Sequence, residues 1–364
     1  MKVIILGFGK IGRTIYDMLA TTGRYEISVG EFDGIALSEA NAKGAKVVKV
    51  NVSDHGSLSA ALKGHDIVIN ALPHHLNVPV STCAAEYKVN YFDLSEDVAS
   101  TRHIKMLASK ASTVLMPQCG LAPGFIAIAA HELTRKFDKI KDVSCRVGAL
   151  PIYPTNALKY NLTWSTDGLI NEYCMPCEAI HEGQMREVLP LEGLEAFSLD
   201  GVEYECFNTS GGIGTLCDTL MGKVENLTYK TIRYPGHCAI ARLLINELGL
   251  GNKRAILKDV LEASIPMTMQ DEVIVFVSVR GWKGKHLVQE NFLRKVYGRE
   301  MGGELRSAIQ LTTAAGICGA VDMFAQGKLP KSGFIRQEEI SLSDFMATPF
   351  GQFYADPKPL RKAA

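Results

Sequence analysis

The stretch that decides the fold is Lys2-Val3-Ile4-Ile5-Leu6 running straight into Gly7-Phe8-Gly9-Lys10-Ile11-Gly12. The continuous apolar run predicts a strand buried on both faces, as in a parallel sheet. Residues 10–21 then carry Ile11, Ile15 and Leu19 on one helical face. A strand, G-x-G-x-x-G and a helix together have a mechanical meaning. The first glycine allows the tight turn, the second lets a pyrophosphate approach the backbone, and the third packs helix on strand. The anion then meets the helix N-terminus. Gly7, Gly9, Lys10, Ile11 and Gly12 are therefore the expected phosphate-side residues. An acid at the end of the second strand should hold a ribose hydroxyl. Glu31 occupies that place, with Asp33 just beyond and no arginine in the ten residues after Glu31. A 2′-phosphate would be repelled there, so NAD is expected rather than NADP.

Working outward, strand-like runs at 25–30, 45–50, 67–72, 90–94 and 114–116 alternate with helix-compatible segments at 38–43, 57–62, 80–87 and 101–110. This alternation implies right-handed crossovers and a doubly wound α/β Rossmann domain. Ligands bind such sheets at the carboxyl ends of the strands. Val52, Ala71, Leu72 and Pro73 are accordingly expected on the cofactor side. After the turn-rich junction Cys119-Gly120-Leu121-Ala122-Pro123-Gly124, strand signals dominate to about residue 279, and a second, α+β domain is expected. A long helix is expected over 304–326.

Composition narrows the function. Lys+Arg and Asp+Glu are both 39, giving a net charge of 0, and hydrophobic residues make up 47%. That balance suits neither a nucleic-acid-binding surface nor a disordered chain, and no interaction with nucleic acid is expected. The longest basic run near the end is only Arg361-Lys362. No uninterrupted apolar stretch reaches the 18 or so residues of a membrane span, so no membrane association is expected. Nine cysteines at irregular spacings suit free thiols in a reducing compartment, which makes the cytoplasm the expected location.

Several motifs could carry chemistry. His74-His75 lacks metal-spaced partners, and no metal is expected there. Cys174-Met175-Pro176-Cys177 with His181 could be a zinc or redox site, but no second C-x-x-C completes four ligands. Thr209-Ser210-Gly211-Gly212 could offer hydroxyls and N–H groups to a carboxylate, or be a plain turn. In the segment 230–237, Lys230 and Arg233 close a strand and His237 opens a helix after Pro-Gly. Arginine suits a planar carboxylate and histidine suits proton transfer near neutral pH.

Taken in order, the glycine motif, residues 67–73, 117–124, 163–173, 209–212, 230–237 and 333–355 resemble the saccharopine dehydrogenase family, and within it the compact lysine 6-dehydrogenases. The resemblance implies a substrate domain on a mixed sheet and a C-terminal segment that returns to the Rossmann domain. The expected divisions are 1–121, 122–302 and 303–364. It also implies a homodimer and NAD-dependent oxidation at the C–N bond of an amino acid. Arg233 matches the family's substrate-carboxylate arginine; Thr209, Ser210, Lys230 and His237 match positions around the same cleft. Gln118 stands where lysine dehydrogenases commonly have an acid. Lys230 or His237 is the expected acid/base, with Asp93 as an alternative proton acceptor. Lysine is the expected substrate, saccharopine the alternative, and a non-catalytic NAD-binding relative a third reading. Lysine has one carboxylate and saccharopine three. Of Lys159, Lys230, Arg233 and His237, only Arg233 has a clear carboxylate-binding match. At least three cationic side chains converging on one cleft beside residues 71–73 would reverse the order of the two substrates.

Overall fold

The computed structural model describes residues 1–355; Arg361-Lys362 lies outside the described residues. The first sheet contains β1 (Lys2–Leu6), β2 (Glu26–Glu31), β3 (Lys46–Lys49), β4 (Ile67–Asn70), β5 (Asn90–Asp93) and β6 (Val114–Met116). All are parallel, in the order β3-β2-β1-β4-β5-β6. The order reverses between β1 and β4, the switch point where such folds bind ligand. Side-chain alternation explains the unbroken apolar run of β1. Val3 and Ile5 enter one core, with Ile15 and Leu19 of the Lys10–Ala20 helix. Ile4 and Leu6 enter a second core with Leu58, Leu62, Val80 and Ile104.

The second sheet is built from β7 (Lys139–Pro151), β8 (Cys177–His181), β9 (Gln184–Val188), β10 (Glu195–Leu199), β11 (Val202–Asn208), β12 (Asn226–Arg233), β13 (Asp271–Lys283) and β14 (His286–Tyr297). Its main path is β10-β11-β12-β7-β13-β14, with β8 beside β12 and β9 beside β8. The β12–β7 pair is parallel and the other pairs are antiparallel, so the sheet is mixed. Val273, Val275, Val277 and Val279 of β13 alternate into the same core as Val3 and Ile5. The strands β9, β10 and β14 are largely exposed or half-buried and polar, and the apolar pattern did not flag them.

The chain then returns to the first sheet, where Gly333–Phe334 pairs parallel with β6. The expected 304–326 helix begins later, as Ala308–Ala325. Glu304–Arg306 is instead a strand paired with Arg299–Met301, and Ser307 and Gln310 form a capping box. The carboxylate of Asp271 at the start of β13 accepts the N–H groups of Ala308 (2.6 Å) and Ile309 (3.0 Å). This helix is long and apolar enough to cross a bilayer, but 78% of it is buried in the protein. The expected 236–248 helix is His237–Arg242 followed by a π-turn, Leu243–Glu247.

Candidate active site

A cavity of about 1010 Å³ separates the carboxyl ends of β1, β4 and β5 from the second sheet. Residues 9–12, Ala71, Leu72, Pro73, Gly120 and Pro123 line one side; Val147, Ala149, Tyr229, Thr231 and Arg233 line the other. The glycine loop has the geometry its sequence requires. Gly7 has φ +93°, and a Cβ on Gly12 would stand 2.0 Å from the Gly7 carbonyl oxygen. A Cβ on Gly9 would meet nothing within 4 Å. The Lys10–Ala20 helix starts at Gly9 with no side-chain cap, so its first N–H groups have no capping acceptor. These residues fit the pyrophosphate of a dinucleotide.

Glu31 is held beside this loop. Its carboxylate accepts N–H groups from Phe8 (2.9 Å), Phe32 (2.8 Å) and Asp33 (3.4 Å). Arg13, the nearest arginine in sequence to the glycine motif, donates to the Phe8 carbonyl and pairs with Glu39. Asp33 does not act as expected: its carboxylate caps the Gly34–Ala42 helix at Ala36 N–H (2.9 Å). Val52 packs against the second core and is not on the cavity wall.

Strand alternation sorts the residues of β12. Tyr229, Thr231 and Arg233 face the cavity. Lys230, one position out of phase, points the other way, and its Nζ donates to the Gly193 carbonyl and to Glu195. The expectation that Lys230 is the base is corrected on that ground, since a general base must reach the proton it takes. Arg233 is 2% exposed. Its Nε donates to the Tyr173 hydroxyl (2.9 Å) and its Nη1 to the Ile232 carbonyl (2.9 Å). Its guanidinium lies 4.9 Å from the Tyr160 ring centre. Nη2 makes no hydrogen bond with a described residue and remains available to a ligand carboxylate.

His237 is also corrected. It lies behind Tyr173, off the wall of this cavity. Its Nδ1 faces the Leu158 carbonyl (2.9 Å), which fixes the tautomer, and Nε2 accepts from the Tyr173 hydroxyl (2.9 Å). Burial, with the charge of Arg233, pushes its pKa down to about 3. A neutral imidazole in this position orients Tyr173 and through it Arg233. Asp93 is fully buried, where it accepts from the Tyr91 hydroxyl (2.7 Å) and the N–H groups of Ser95 (2.9 Å) and Gln118 (3.0 Å). It braces the loop after β5 and reaches no part of the cavity. Gln118 is buried at φ +66°, and its side chain abuts Gly214. Thr209 and Ser210 stand one layer back. Thr209 hydrogen-bonds Thr231 (2.7 Å), and the N–H of Ser210 donates to the Glu172 carbonyl (3.0 Å). The two thus brace the wall without forming it. Lys159 donates to the Pro235 carbonyl.

The sequence reading missed other residues of the cavity. Arg254 and Lys258, from the Arg254–Ser264 helix, join Arg233 around it. Arg254 donates to the Asn171 side chain (3.4 Å) and Lys258 pairs with Asp167 (2.6 Å). Two acids, Glu96 in the loop after β5 and Glu172 on the Thr166–Cys174 helix, also line the cavity. Glu172 had a readable signal: it interrupts the apolar face formed by Leu169, Ile170 and Tyr173. Among the described residues no three His, Cys, Asp or Glu side chains are grouped to hold a metal ion. Cys177 is buried and Cys174 half-buried.

A dinucleotide-type glycine loop facing a buried arginine across an interdomain cavity defines a two-domain protein of dehydrogenase architecture. The chain belongs to the saccharopine dehydrogenase family. The model of the saccharopine dehydrogenase NADP binding domain matches residues 3–115, and that of the saccharopine dehydrogenase C-terminal domain matches residues 120–352. The chain is similar to the saccharopine dehydrogenase [NADP(+), L-glutamate-forming] of Saccharomyces cerevisiae, with 25% identity over 260 residues, covering 67% of this chain and 57% of that protein. It is similar to the mitochondrial alpha-aminoadipic semialdehyde synthase of Rattus norvegicus, with 23% identity over 222 residues, covering 55% of this chain and 24% of that protein. The chain therefore spans well under two thirds of these relatives. Among solved structures, apo saccharopine dehydrogenase (L-Glu forming) from Saccharomyces cerevisiae superimposes with a TM-score of 0.78 at 18% identity, covering 95% of this chain and 96% of that one. That likeness establishes the fold.

Proposed function

We propose that the protein is a nicotinamide-dinucleotide-dependent oxidoreductase acting on the C–N bond of saccharopine, in place of the lysine expected from the sequence. One observation carries this reading: Arg233, Arg254 and Lys258 converge on the cavity that also contains Ala71, Leu72 and Pro73. A desolvated carboxylate needs a partner, and three cations suit a substrate with three carboxylates better than one with a single carboxylate. The names of the relatives support the same substrate.

Gly7, Gly9 and Gly12 and the free end of the Lys10–Ala20 helix would hold the cofactor's pyrophosphate, with Ala71, Leu72 and Pro73 beside its reactive end. When bound, the cofactor supplies an acceptor or donor for hydride. The chain's own residues do the rest. Arg233, fixed by Tyr173 and Ile232, anchors a carboxylate and sets the register of the reacting carbon. Arg254 and Lys258 take the outer carboxylates by sharing or displacing Asn171 and Asp167. The two sheets close around the substrate and limit its contact with water.

The relatives' names carry NADP(+), whereas Glu31 places a carboxylate where a 2′-phosphate would lie. On that residue we read this chain as preferring NAD. The test is reduction of NAD and NADP by saccharopine and by L-lysine, with cofactor binding measured separately. Saccharopine should reduce NAD, lysine should be a poor substrate, and Glu31→Ala should narrow the gap between the cofactors. Equal or tighter binding of NADP overturns the reading of Glu31, and turnover of lysine alone overturns the reading of the cations. Arg233→Ala should lower kcat/KM roughly 30- to 1000-fold, the equivalent of about 2–4 kcal/mol for a lost charge-assisted contact, with NAD affinity unchanged.

A further inference from the structure

Glu172 is 7% exposed, yet its carboxylate makes no hydrogen bond or ion pair with a described residue. Its main-chain carbonyl is satisfied by the Ser210 N–H (3.0 Å), so the unanswered group is the side chain alone. Buried polar groups are ordinarily hydrogen-bonded, and a buried carboxylate without a donor is costly. Glu172 lines the same cavity as Arg233, and a ligand there could supply the missing donor.

Glu96 lines the cavity as well and makes no side-chain hydrogen bond with a described residue. Its side chain occupies room left by two glycines. A Cβ on Gly168 would stand 3.2 Å from Glu96 Oε1, and one on Gly211 would stand 3.0 Å from Glu96 Cβ. The cavity thus presents a cation for a carboxylate and, separately, two carboxyls that lack donors. That is the complement of an amino acid's two charges.

We propose that Glu172, with Glu96 beside it, receives the cationic amine of the substrate and removes a proton from it. The inference rests on the function proposed above and adds the group that prepares the nitrogen. An N–H bond of the ammonium breaks, an O–H bond forms on the Glu172 carboxylate, and the electron pair stays on nitrogen. The amine is then neutral, the form that can assist loss of hydride from the adjacent carbon. No oxidant is needed for this proton transfer.

The surroundings suit the role. Burial holds both carboxyls above their usual range. The charge of Glu172 raises Glu96 further, while Arg233 draws Glu172 back down. Two nearby acids resist double ionisation, so they titrate as a unit. The other titratable groups around Glu172 are Tyr229 on β12, Tyr160, Tyr173 on its own helix and Cys177 on β8; burial raises the pKa of each of them. Asp97 adds its charge beside Glu96.

The experiment compares wild type with Glu172→Gln in two ways. The first is calorimetric binding of saccharopine, and of the amine-free dicarboxylate glutarate, to the cofactor-free protein. The second is the pH profile of kcat and kcat/KM. E172Q should bind saccharopine about tenfold or more weakly but glutarate as well as wild type does or better. Its kcat should fall roughly 100-fold or more, the acid limb should flatten, and NAD affinity should be unchanged. Glu96→Gln should move the acid limb to lower pH by about one unit, because a like charge is removed. If E172Q does not fold, Glu172→Asp serves: kcat should fall with the acid limb retained. Wild type that oxidises saccharopine, with E172Q or E172D matching it in affinity, kcat and acid limb, overturns the role of Glu172 alone. Wild type that neither binds nor oxidises saccharopine overturns the function proposed above, and the role of the pair with it.

Discussion

Arg233, Tyr173, His237 and the Leu158 carbonyl form one line of hydrogen bonds in which every proton has a defined owner. The imidazole gives Nδ1–H to Leu158, the Tyr173 hydroxyl gives its proton to Nε2, and Arg233 gives Nε–H to the Tyr173 oxygen. Tyr173→Phe removes the acceptor of Arg233 and leaves a buried donor unmatched, at a cost of about 1–3 kcal/mol. The expected result is a KM raised by roughly tenfold or more, with kcat less affected; unchanged KM would show that Arg233 does not depend on Tyr173. His237 gives a pH prediction. Its folded pKa is lowered from 6.5 to about 3, mainly by burial. Between those values the unfolded chain binds the extra proton, so stability is complete above the unfolded pKa and is lost as pH falls through the window, by at most about 1.4 kcal/mol per pH unit. His237→Gln should flatten the fall of Tm between about pH 6.5 and 4.5; parallel profiles would mean that the imidazole is protonated in the fold.

At the scale of elements, the turn between β1 and the Lys10–Ala20 helix separates structure from binding. Gly12→Ala drives a Cβ to 2.0 Å from the Gly7 carbonyl, so it should lower stability by about 1–3 kcal/mol or more. Gly9→Ala meets nothing within 4 Å. It should leave Tm unchanged and weaken cofactor binding, because its methyl group occupies the pyrophosphate's approach. Equal cofactor affinity in Gly9→Ala would move the pyrophosphate elsewhere. This turn was legible in the sequence because glycine spacing, apolar run and helix period all report local geometry. Arg233 was legible too, and strand period would have rejected Lys230: residues 230 and 233 are an odd number apart and face opposite sides of β12. Glu172, Arg254 and Lys258 were not read, because their meeting depends on how two helices pack over the second sheet. Short polar strands such as Gln184–Val188 gave no apolar signal, since most of that strand is exposed.

The whole molecule is held together by a core that ignores the expected divisions at 121 and 302. Val3 and Ile67 of the first sheet, Leu311 and Ile317 of the Ala308–Ala325 helix, and Val143 and Val275 of the second sheet belong to one continuous cluster. Polar ties follow the same path. Asp322, fully buried on that helix, accepts from the Tyr25 hydroxyl (2.7 Å) and pairs with Arg24 (3.0 Å), while Arg306 pairs with Asp17 (2.6 Å). The cavity takes one wall from each sheet, so the spacing of the glycine loop from Arg233 is set by this shared core. A hydride donor and acceptor must be held at near-attack distance, and independent movement of the two sheets would lose that geometry. Calorimetry should therefore show one unfolding transition, with the van't Hoff and calorimetric enthalpies in agreement. Asp322→Ala, which leaves the Tyr25 hydroxyl without its acceptor, should cost about 1–3 kcal/mol and lower that single Tm without splitting it. NAD, held at the first sheet, should raise the same transition as a whole by mass action. Two transitions, with NAD moving only one of them, would show that the sheets unfold separately and that the cavity's width is not fixed by the core they share.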